Sequence, residues 1–274
     1  MLRSESPAGG SPIAVMVGVG VVVVVVASPL AALAVRAPWS ELDALVRDQA
    51  VREALALSLA TATIAAAVAT VLGCLVGHFL AHNRGRATVV VRALVTLPLV
   101  LPPVAAGVAL LFAFGRRGVF GDVLGALGLD LSFTVGAVIV AQTFVSLPFV
   151  ALTTEAGFRA LDRAHGETAA TLGATPWQRL WRIDLPLARA AVGSGAVLAW
   201  ARSMGELGAT LTFAGIVPGV TETAPLRILG ALESDPDSAL LLSLVLVVLS
   251  AVVLGALRGR WVPALRQVPV RADA

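Results

Sequence analysis

Few side chains in this sequence have the type and spacing that chemistry needs. His78 and His82 are four residues apart, so on a helix they would face one side, as two metal ligands do. Cys74 has the character of a small apolar packing residue, and no nearby carboxylate completes a ligand set, so the pattern favours polar residues at a helix end. No nucleophile lies next to a base. The sequence therefore predicts no metal site, no catalytic residue and no enzyme active site.

The chain has no Lys, because all 20 of its basic residues are Arg. A nucleotide-binding P-loop needs a Lys that reaches the phosphates. If a nucleotide drives the work of this protein, another polypeptide must bind it, so we expect no cofactor on this chain. Nothing in the sequence indicates nucleic-acid binding.

The composition is typical of a membrane protein, with 58% hydrophobic and 14% charged residues and a mean hydropathy of +0.91. Several apolar runs exceed the roughly 20 residues that span a bilayer. The sequence therefore predicts an all-α integral membrane protein with six transmembrane helices. The predicted helices are Ile13–Val35, Glu53–Ala81, Arg92–Phe114, Phe133–Gly157, Leu187–Phe213 and Ala239–Leu257.

These helices would form one membrane domain over residues 13–257, between an N-terminal segment 1–12 and an Arg-rich tail 258–274. Arg is about twice as frequent in the loops of one side, and the side rich in basic residues is normally cytoplasmic. This predicts cytoplasmic termini and a cytoplasmic loop 158–186 between the fourth and fifth helices. The first apolar run is longer than the roughly 7–15 residues of a signal-peptide core, so we expect it to stay as a span.

Small residues and prolines mark particular points within the predicted helices. Gly73 and Gly77 have the G-x-x-x-G spacing of a face that packs closely on another helix. Pro98, Pro102 and Pro103 interrupt the third predicted helix and Pro148 interrupts the fourth. Proline frees backbone carbonyls and bends a membrane helix. Such bends line a pathway in some proteins and are ordinary kinks in others, and the sequence leaves both readings open.

The loop between the fourth and fifth predicted helices carries the signals of two short capped helices. Asp162 can cap the first, which would end at Gly173. Thr175 can cap the second, with Pro176 at its first position and Gln178 completing a capping box. The loop is therefore predicted to be a stiff helix-turn-helix.

Two large aromatic side chains lie on the second short helix. Trp177 and Trp181 are four residues apart and share one face, away from Arg179 and Arg182. A helix lying on the membrane surface, with Trp among the lipid headgroups, would carry this pattern. A helix that docks on a partner protein would carry it equally, and the residues alone do not decide between the two.

The spacing of this loop resembles the signature of import-type ABC transporter permeases, which is E-A-A, three residues, G, nine residues and I-x-L-P. This chain reads Glu167-Thr168-Ala169, then Gly173, then Ile183-Asp184-Leu185-Pro186, with Thr168 where the family usually has Ala. In that family the loop is the coupling helix that docks in a groove of a separate ATPase subunit. The positions to which the resemblance assigns ATPase coupling are Glu167, Ala169, Gly173, Thr175, Trp177, Trp181, Ile183 and Pro186.

The same resemblance implies the rest of the assembly. ATP and Mg²⁺ would bind to the ATPase subunit. A second permease chain, expected from the family to be an identical copy in a homodimer, would complete the pathway. An extracytoplasmic oxyanion-binding protein would deliver the substrate. The location would be the plasma membrane of a prokaryote, in contact with lipid.

Three stretches are similar to the molybdate/sulfate branch of these permeases. They are "LPLVLPPVAAGVALLFAFGRRG" (Leu97–Gly118), "AQTFVSLPFV" (Ala141–Val150) and "ARSMGELGATLTFAG" (Ala201–Gly215). The run "GATLTFAG" favours molybdate or tungstate over sulfate. The resemblance implies an ATP-driven oxyanion importer, with molybdate as the expected substrate and sulfate or tungstate as the alternatives.

Candidates for the pathway or gate are Arg202, Glu206, Thr210, Pro102 and Pro103. Arg202 and Glu206 are four residues apart within the fifth predicted helix, where an isolated charge costs about 2.5–3.5 kcal/mol on insertion scales. Pairing would relieve that cost. The pair is either a structural link in the bundle or a gate that rearranges during transport.

A different class of function is a secondary transporter driven by protons or sodium. It would need carboxylates within the membrane as ion carriers. Only Glu206 qualifies clearly, and no inverted repeat is evident in the sequence. The loop before the last helix carries a net negative charge, from Glu222, Arg227, Glu233, Asp235 and Asp237. These side chains either contact the binding protein or are simply solvated.

Overall fold

The computed structural model describes residues 13–265, apart from the side chains of residues 163 and 256–265. The predicted segment 1–12 and the tail from residue 266 lie outside the described residues. Every regular element within the described range is helical. The helices are α1 Ile13–Arg36, α2 Leu42–Arg47, α3 Gln49–His82, α4 Arg86–Val100, α5 Pro103–Phe114, α6 Gly121–Ala126, α7 Val135–Arg159, α8 Arg163–Thr171, α9 Pro176–Arg179, α10 Leu185–Leu187, α11 Arg189–Met204, α12 Gly208–Phe213, α13 Ala224–Ser234 and α14 Pro236–Leu265. A short 3₁₀ turn, Trp39–Glu41, precedes α2, and a π-helical turn, Leu180–Asp184, joins α9 to α10.

Four of the described helices are long and apolar enough to cross a membrane: α1, α3, α7 and the first part of α14, Pro236–Gly255. They correspond to the first, second, fourth and sixth predicted helices. Helix α3 begins four residues earlier than predicted because Asp48 Oδ1 accepts the backbone N–H of Ala50 at 2.7 Å and so caps it. Helix α14 continues past its predicted end at Leu257, since a helical backbone does not need apolar side chains.

The third predicted helix, Arg92–Phe114, is in fact two helices, α4 and α5, and the interruption lies at Pro102 and Pro103. Leu101 and Pro102, between the two helices, have extended backbone, with ψ of 131° and 136°. Each of these residues precedes a proline, whose ring clashes with a helical conformation at the position before it. Pro103 then occupies the first position of α5, where a backbone N–H is not needed. The interruptions predicted at Pro98 and Pro148 were wrong, since these residues lie inside α4 and α7.

The fifth predicted helix, Leu187–Phe213, is also broken, so its prediction as one continuous helix was wrong. Helix α11 ends at Met204 and α12 begins at Gly208. No proline marks this break. Glu206 lies in the link, and its Oε1 accepts the backbone N–H of Ala209 at 2.7 Å, so the carboxylate takes over a hydrogen bond of the first turn of α12.

Helices α3, α7 and α11 form the centre of the bundle and pack through small residues. The predicted close-packing face at Gly73 and Gly77 is confirmed: a Cβ at Gly73 would lie 2.6 Å from Val150 Cβ of α7. At this contact the hydroxyl of Thr154 donates to the carbonyl oxygen of Gly73 at 3.2 Å. Without side chains at the two glycines, the backbones of α3 and α7 approach closely enough for this bond between helices.

Gly77→Ala is expected to destabilise the bundle. The new Cβ would lie 2.8 Å from the carbonyl oxygen of Ala151 and 2.9 Å from the backbone nitrogen of Glu155, which cannot move independently of α7. Overpacking of this kind costs about 1–3 kcal/mol of the free energy of unfolding. Thermal unfolding of the purified chain in detergent measures it. The matched control is Gly18→Ala in α1, where nothing lies within 4 Å of the new Cβ, and equal unfolding temperatures for the two variants would contradict the close contact.

Candidate functional site

The predicted helix-turn-helix is present, and we call residues 163–187 the α8–α10 segment. Asp162 Oδ1 accepts the backbone N–H of Ala164 at 3.0 Å and caps α8. Gly173 has a φ of +79°, the left-handed conformation that ends a helix and that glycine adopts at no steric cost. Thr175 and Gln178 form the predicted capping box, with hydrogen bonds of 3.2 and 2.9 Å. The caps stiffen both short helices.

The two tryptophans of the segment share one face, as predicted. Their ring centroids are 5.5 Å apart, and Trp177 and Trp181 are 60% and 51% exposed. Two large aromatic rings held together in the open are unusual on a polypeptide surface unless something covers them. Of the other predicted coupling positions, the exposed ones are Glu167, Gly173, Thr175 and Pro186, Ile183 is half-buried, and Ala169 is buried.

A cluster of polar side chains joins the α8–α10 segment to the end of α3. Asp184, in the π-helical turn, is 1% exposed. Its Oδ2 lies 3.1 Å from His78 Nε2, 3.7 Å from His82 Nε2 and 3.2 Å from Arg179 Nε. The prediction that no carboxylate joins the two histidines was wrong, since the packing of α3 against the segment brings Asp184 to them from more than 100 positions away.

The positive charge in this cluster comes from the guanidinium of Arg179, not from a metal ion. His78, His82 and Asp184 place their ligand atoms within 4.8 Å of one another, as a metal site would. However, Arg179 already contacts two of the three, because its Nη2 lies 2.9 Å from His82 Nε2 and its Nε pairs with Asp184. The arrangement is therefore an ion-paired hydrogen-bond cluster, and Arg179 points inward rather than to solvent.

A second buried carboxylate was missed by the sequence reasoning. Glu155, near the end of α7, has a side chain only 5% exposed. It forms an ion pair with Arg92 of α4, whose Nη1 lies 2.8 Å from its Oε2, and with Arg159 Nη2 at 2.8 Å. The sequence did contain a signal for this ion pair, since an acidic residue within a predicted apolar helix requires a partner. The partner itself, 63 positions away, was not predictable.

The predicted pairing of Arg202 with Glu206 is present. Arg202 Nη1 lies 2.6 Å from Glu206 Oε2, and Glu206 is 1% exposed. Because its other oxygen accepts the N–H of Ala209, the Glu206 carboxylate joins the ion pair to the break between α11 and α12.

The breaks in the third and fifth predicted helices lie against each other. A Cβ at Gly208 would be 2.6 Å from Pro103 Cβ, and one at Gly107 would be 2.7 Å from the carbonyl oxygen of Ala209. Thr210 is fully buried, and its hydroxyl has no hydrogen-bond partner within the described part of the chain. Four of the pathway candidates, Pro103, Arg202, Glu206 and Thr210, thus belong to this crossing or to the link beside it, while Pro102 is exposed at its edge.

The acidic loop before α14 is partly neutralised by its own contacts. Arg227 lies 3.4 Å from Asp48 and 3.6 Å from Glu222. Asp235 Oδ1 accepts the backbone N–H of Ser238 at 3.2 Å at the start of α14. Hydrogen bonds from the side chain and the backbone of Ser238 hold the pKa of Asp235 below its usual value.

Comparison with known proteins identifies the class of molecule to which these features belong. Residues 69–267 match the family described as binding-protein-dependent transport system inner membrane component. The match covers most of the chain, including α7, the α8–α10 segment and both broken helices. This chain is an ABC transporter permease.

The relatives of the permease show to which branch of the family it belongs. It is 48% identical over 231 residues to the molybdenum transport system permease protein ModB of Mycobacterium tuberculosis, covering 84% of this chain and 88% of that one. ModB of Azotobacter vinelandii is 36% identical over 182 residues, covering 66% and 80%. The sulfate transport system permease protein CysW of Synechococcus elongatus is 31% identical over 211 residues, covering 76% and 73%. The resemblance to the molybdate/sulfate branch is confirmed.

A solved structure shows the same fold as the permease. A bacterial ABC transporter that imports the acidic polysaccharide alginate matches with a TM-score of 0.70 and 18% identity, over 93% of this chain and 95% of that one. The same transporter bound to a periplasmic protein carrying an alginate pentasaccharide matches with a TM-score of 0.69 and 16% identity, over 90% and 92%. The permease is thus a membrane protein with the helical architecture of a binding-protein-dependent importer.

Proposed function

We propose that this permease forms the translocation pathway of an ATP-driven oxyanion importer whose substrate is molybdate. The substrate assignment rests on the 48% identity to a molybdenum permease, against 31% to a sulfate permease. The permease catalyses no reaction itself. ATP and Mg²⁺ belong to a separate ATPase subunit, in agreement with the absence of Lys from this chain.

The permease crosses the membrane six times if α4 and α5 together form one crossing and α11 and α12 together form another. Helices α4 and α5 contain 15 and 12 residues, and α11 and α12 contain 16 and 6. At about 1.5 Å per residue these pairs rise roughly 40 and 33 Å, enough for a hydrocarbon core of about 30 Å. The Arg-rich loops then lie on the cytoplasmic side, with both termini and the α8–α10 segment.

The observation that carries the coupling role is the exposed pair of tryptophans on a capped helix. A surface that must transmit force from a motor needs stiffness, which the caps at Asp162 and Thr175 supply. It also needs an anchor that a groove can enclose, and Trp is among the residues that most often dominate such contacts. We therefore assign the docking of the ATPase subunit to Trp177 and Trp181.

The rest of the assembly follows from the same proposal. Two copies of the permease would enclose the pathway. An extracytoplasmic binding protein would deliver the anion enclosed, because the net negative loop before α14 repels a free oxyanion. The crossing of the two broken helices is the candidate gate, as interrupted helices commonly line transport sites.

Reconstitution tests the proposal. The permease, purified with its ATPase subunit and binding protein in proteoliposomes, is expected to take up labelled molybdate only when ATP is present on the ATPase side. Unlabelled molybdate, tungstate and sulfate are compared as competitors, and strongest competition by sulfate would reassign the substrate. Ion-driven uptake by the permease alone, with no ATPase subunit present, would overturn the proposal in favour of a secondary transporter.

A further inference from the structure

Two side chains of the α8–α10 segment, Arg179 and Asp184, make polar contacts with α3. Arg179, in the segment, places Nη2 at 2.9 Å from His82 Nε2 on α3. Its Nε lies 3.2 Å from Asp184, which in turn receives His78 of α3 at 3.1 Å. The apolar contacts nearby, around Leu180, lie beside this cluster. The guanidinium therefore bridges the exposed segment and the C-terminal end of a central helix.

The hydrogen bonds fix which groups donate and so hold the guanidinium in one position. His82 Nδ1 lies 3.0 Å from the carbonyl oxygen of His78, where only a ring N–H can form the bond. His82 Nε2 is therefore the acceptor of the Arg179 hydrogen bond. His78 Nε2 donates to Oδ2 of the buried Asp184 carboxylate, and Arg179 Nε donates to Oδ1 of the same carboxylate at 3.4 Å. A planar guanidinium suits such a set of acceptors. Its N–H donors are held in a rigid arrangement, so little conformational entropy is lost for each hydrogen bond that it forms.

A glycine on α8 makes room for the same group. A Cβ at Gly166 would lie 2.7 Å from Arg179 Nη2 and 2.5 Å from Nη1. The half-buried Arg179 side chain thus lies between α8, the π-helical turn and the end of α3. A methyl group at position 166 would push the guanidinium away from His82.

We propose that Arg179 is the positioning residue that makes the α8–α10 segment and α3 move as one body. This rests on the proposed function, because it concerns how motion of the ATPase subunit enters the bundle. The tryptophans provide the contact with the ATPase subunit, and Arg179 passes their displacement to α3 through His82. Arg179 also holds Asp184, which contacts His78 of α3. Since α3 packs on α7 through Gly73 and Gly77, the displacement reaches the centre of the bundle.

Two variants displace the guanidinium in different ways. Arg179→Gln removes it, and Gly166→Ala pushes it aside while raising the helix propensity of α8. In both, the ATPase subunit is expected to co-purify as in wild type and to hydrolyse ATP. Molybdate transported per ATP hydrolysed is expected to fall roughly tenfold, a usual size for coupling between sites. The matched control is Arg182→Gln, which removes an exposed Arg of the same segment and should leave the ratio unchanged.

A third variant separates positioning from simple stabilisation. Arg179→Gln leaves the buried Asp184 carboxylate without its Arg, whereas Arg179→Gln combined with Asp184→Asn removes that charge as well. The double variant is expected to recover the unfolding temperature but not the transport ratio. Recovery of both would show a merely structural role and overturn the proposal, as would a wild-type ratio in Arg179→Gln and Gly166→Ala. Loss of the co-purified ATPase subunit from Arg179→Gln would also overturn it, by placing Arg179 in the docking surface.

Measurements on the wild-type complex distinguish a failure of the proposed function from a failure of the role assigned to Arg179. If wild type neither retains an ATPase subunit nor couples ATP to uptake, the proposed function fails whatever the variants do. If wild type couples normally and the variants match it, only the role of Arg179 fails.

Discussion

Trp177→Asp is expected to abolish ATP-driven uptake while leaving the permease folded. Trp177 is 60% exposed, and among the aromatic side chains that the structure describes its ring packs on Trp181 alone, so the change costs the fold little. In the assembly, the carboxylate would enter a groove shaped for an indole and would be desolvated there. Loss of an aromatic anchor at an interface costs about 2 kcal/mol or more, and a buried unpaired charge adds to that. Uptake in proteoliposomes and stimulation of the ATPase by the loaded binding protein measure the loss.

Trp177→Phe is the matched control for this change, because it keeps an apolar ring at the same position. It should retain most of the uptake. Gly173→Asp, which places a charge at the positive-φ turn between α8 and α9, is expected to be defective for the same reason. Wild-type uptake and ATPase stimulation in Trp177→Asp would show that the segment lies on lipid headgroups instead of on a motor.

Arg202→Met is expected to have the largest effect on stability. It leaves the Glu206 carboxylate, 1% exposed, with only the N–H of Ala209 as a partner. Removing one partner of a buried ion pair typically costs about 3–5 kcal/mol, because the remaining charge stays buried. Little folded protein should be recovered from membranes, as judged by size-exclusion chromatography in detergent and by thermal unfolding.

A double variant decides between the two roles of this pair. In Arg202→Met combined with Glu206→Gln the charge is gone, and the Gln carbonyl oxygen can still accept the N–H of Ala209. We expect both folding and molybdate uptake to return, as a structural pair would require. A double variant that folds normally but does not transport would instead assign the pair to the gate.

Local features of this permease were determined by the sequence alone. The long apolar runs fixed the four helices able to cross a membrane, because each run needs only its own length and composition. The caps at Asp162 and Thr175 and the turn at Gly173 were predictable because each depends on residues at most a few positions apart. The Gly73 and Gly77 face was predictable for the same reason, since helical spacing alone aligns the two glycines.

The tertiary structure alone decided the contacts between distant positions. Asp184 meets His78, and Glu155 meets Arg92, because α3 and α4 pack against α7 and the α8–α10 segment, and no periodic pattern records which helices are neighbours. The break after Met204 was hidden because no proline marks it; Glu206 in the link accepts a backbone N–H from the first turn of the next helix instead. A side chain's partner across helices depends on how the helices are arranged, and that arrangement is set by the packing of the whole bundle and not by the residues beside it in the chain.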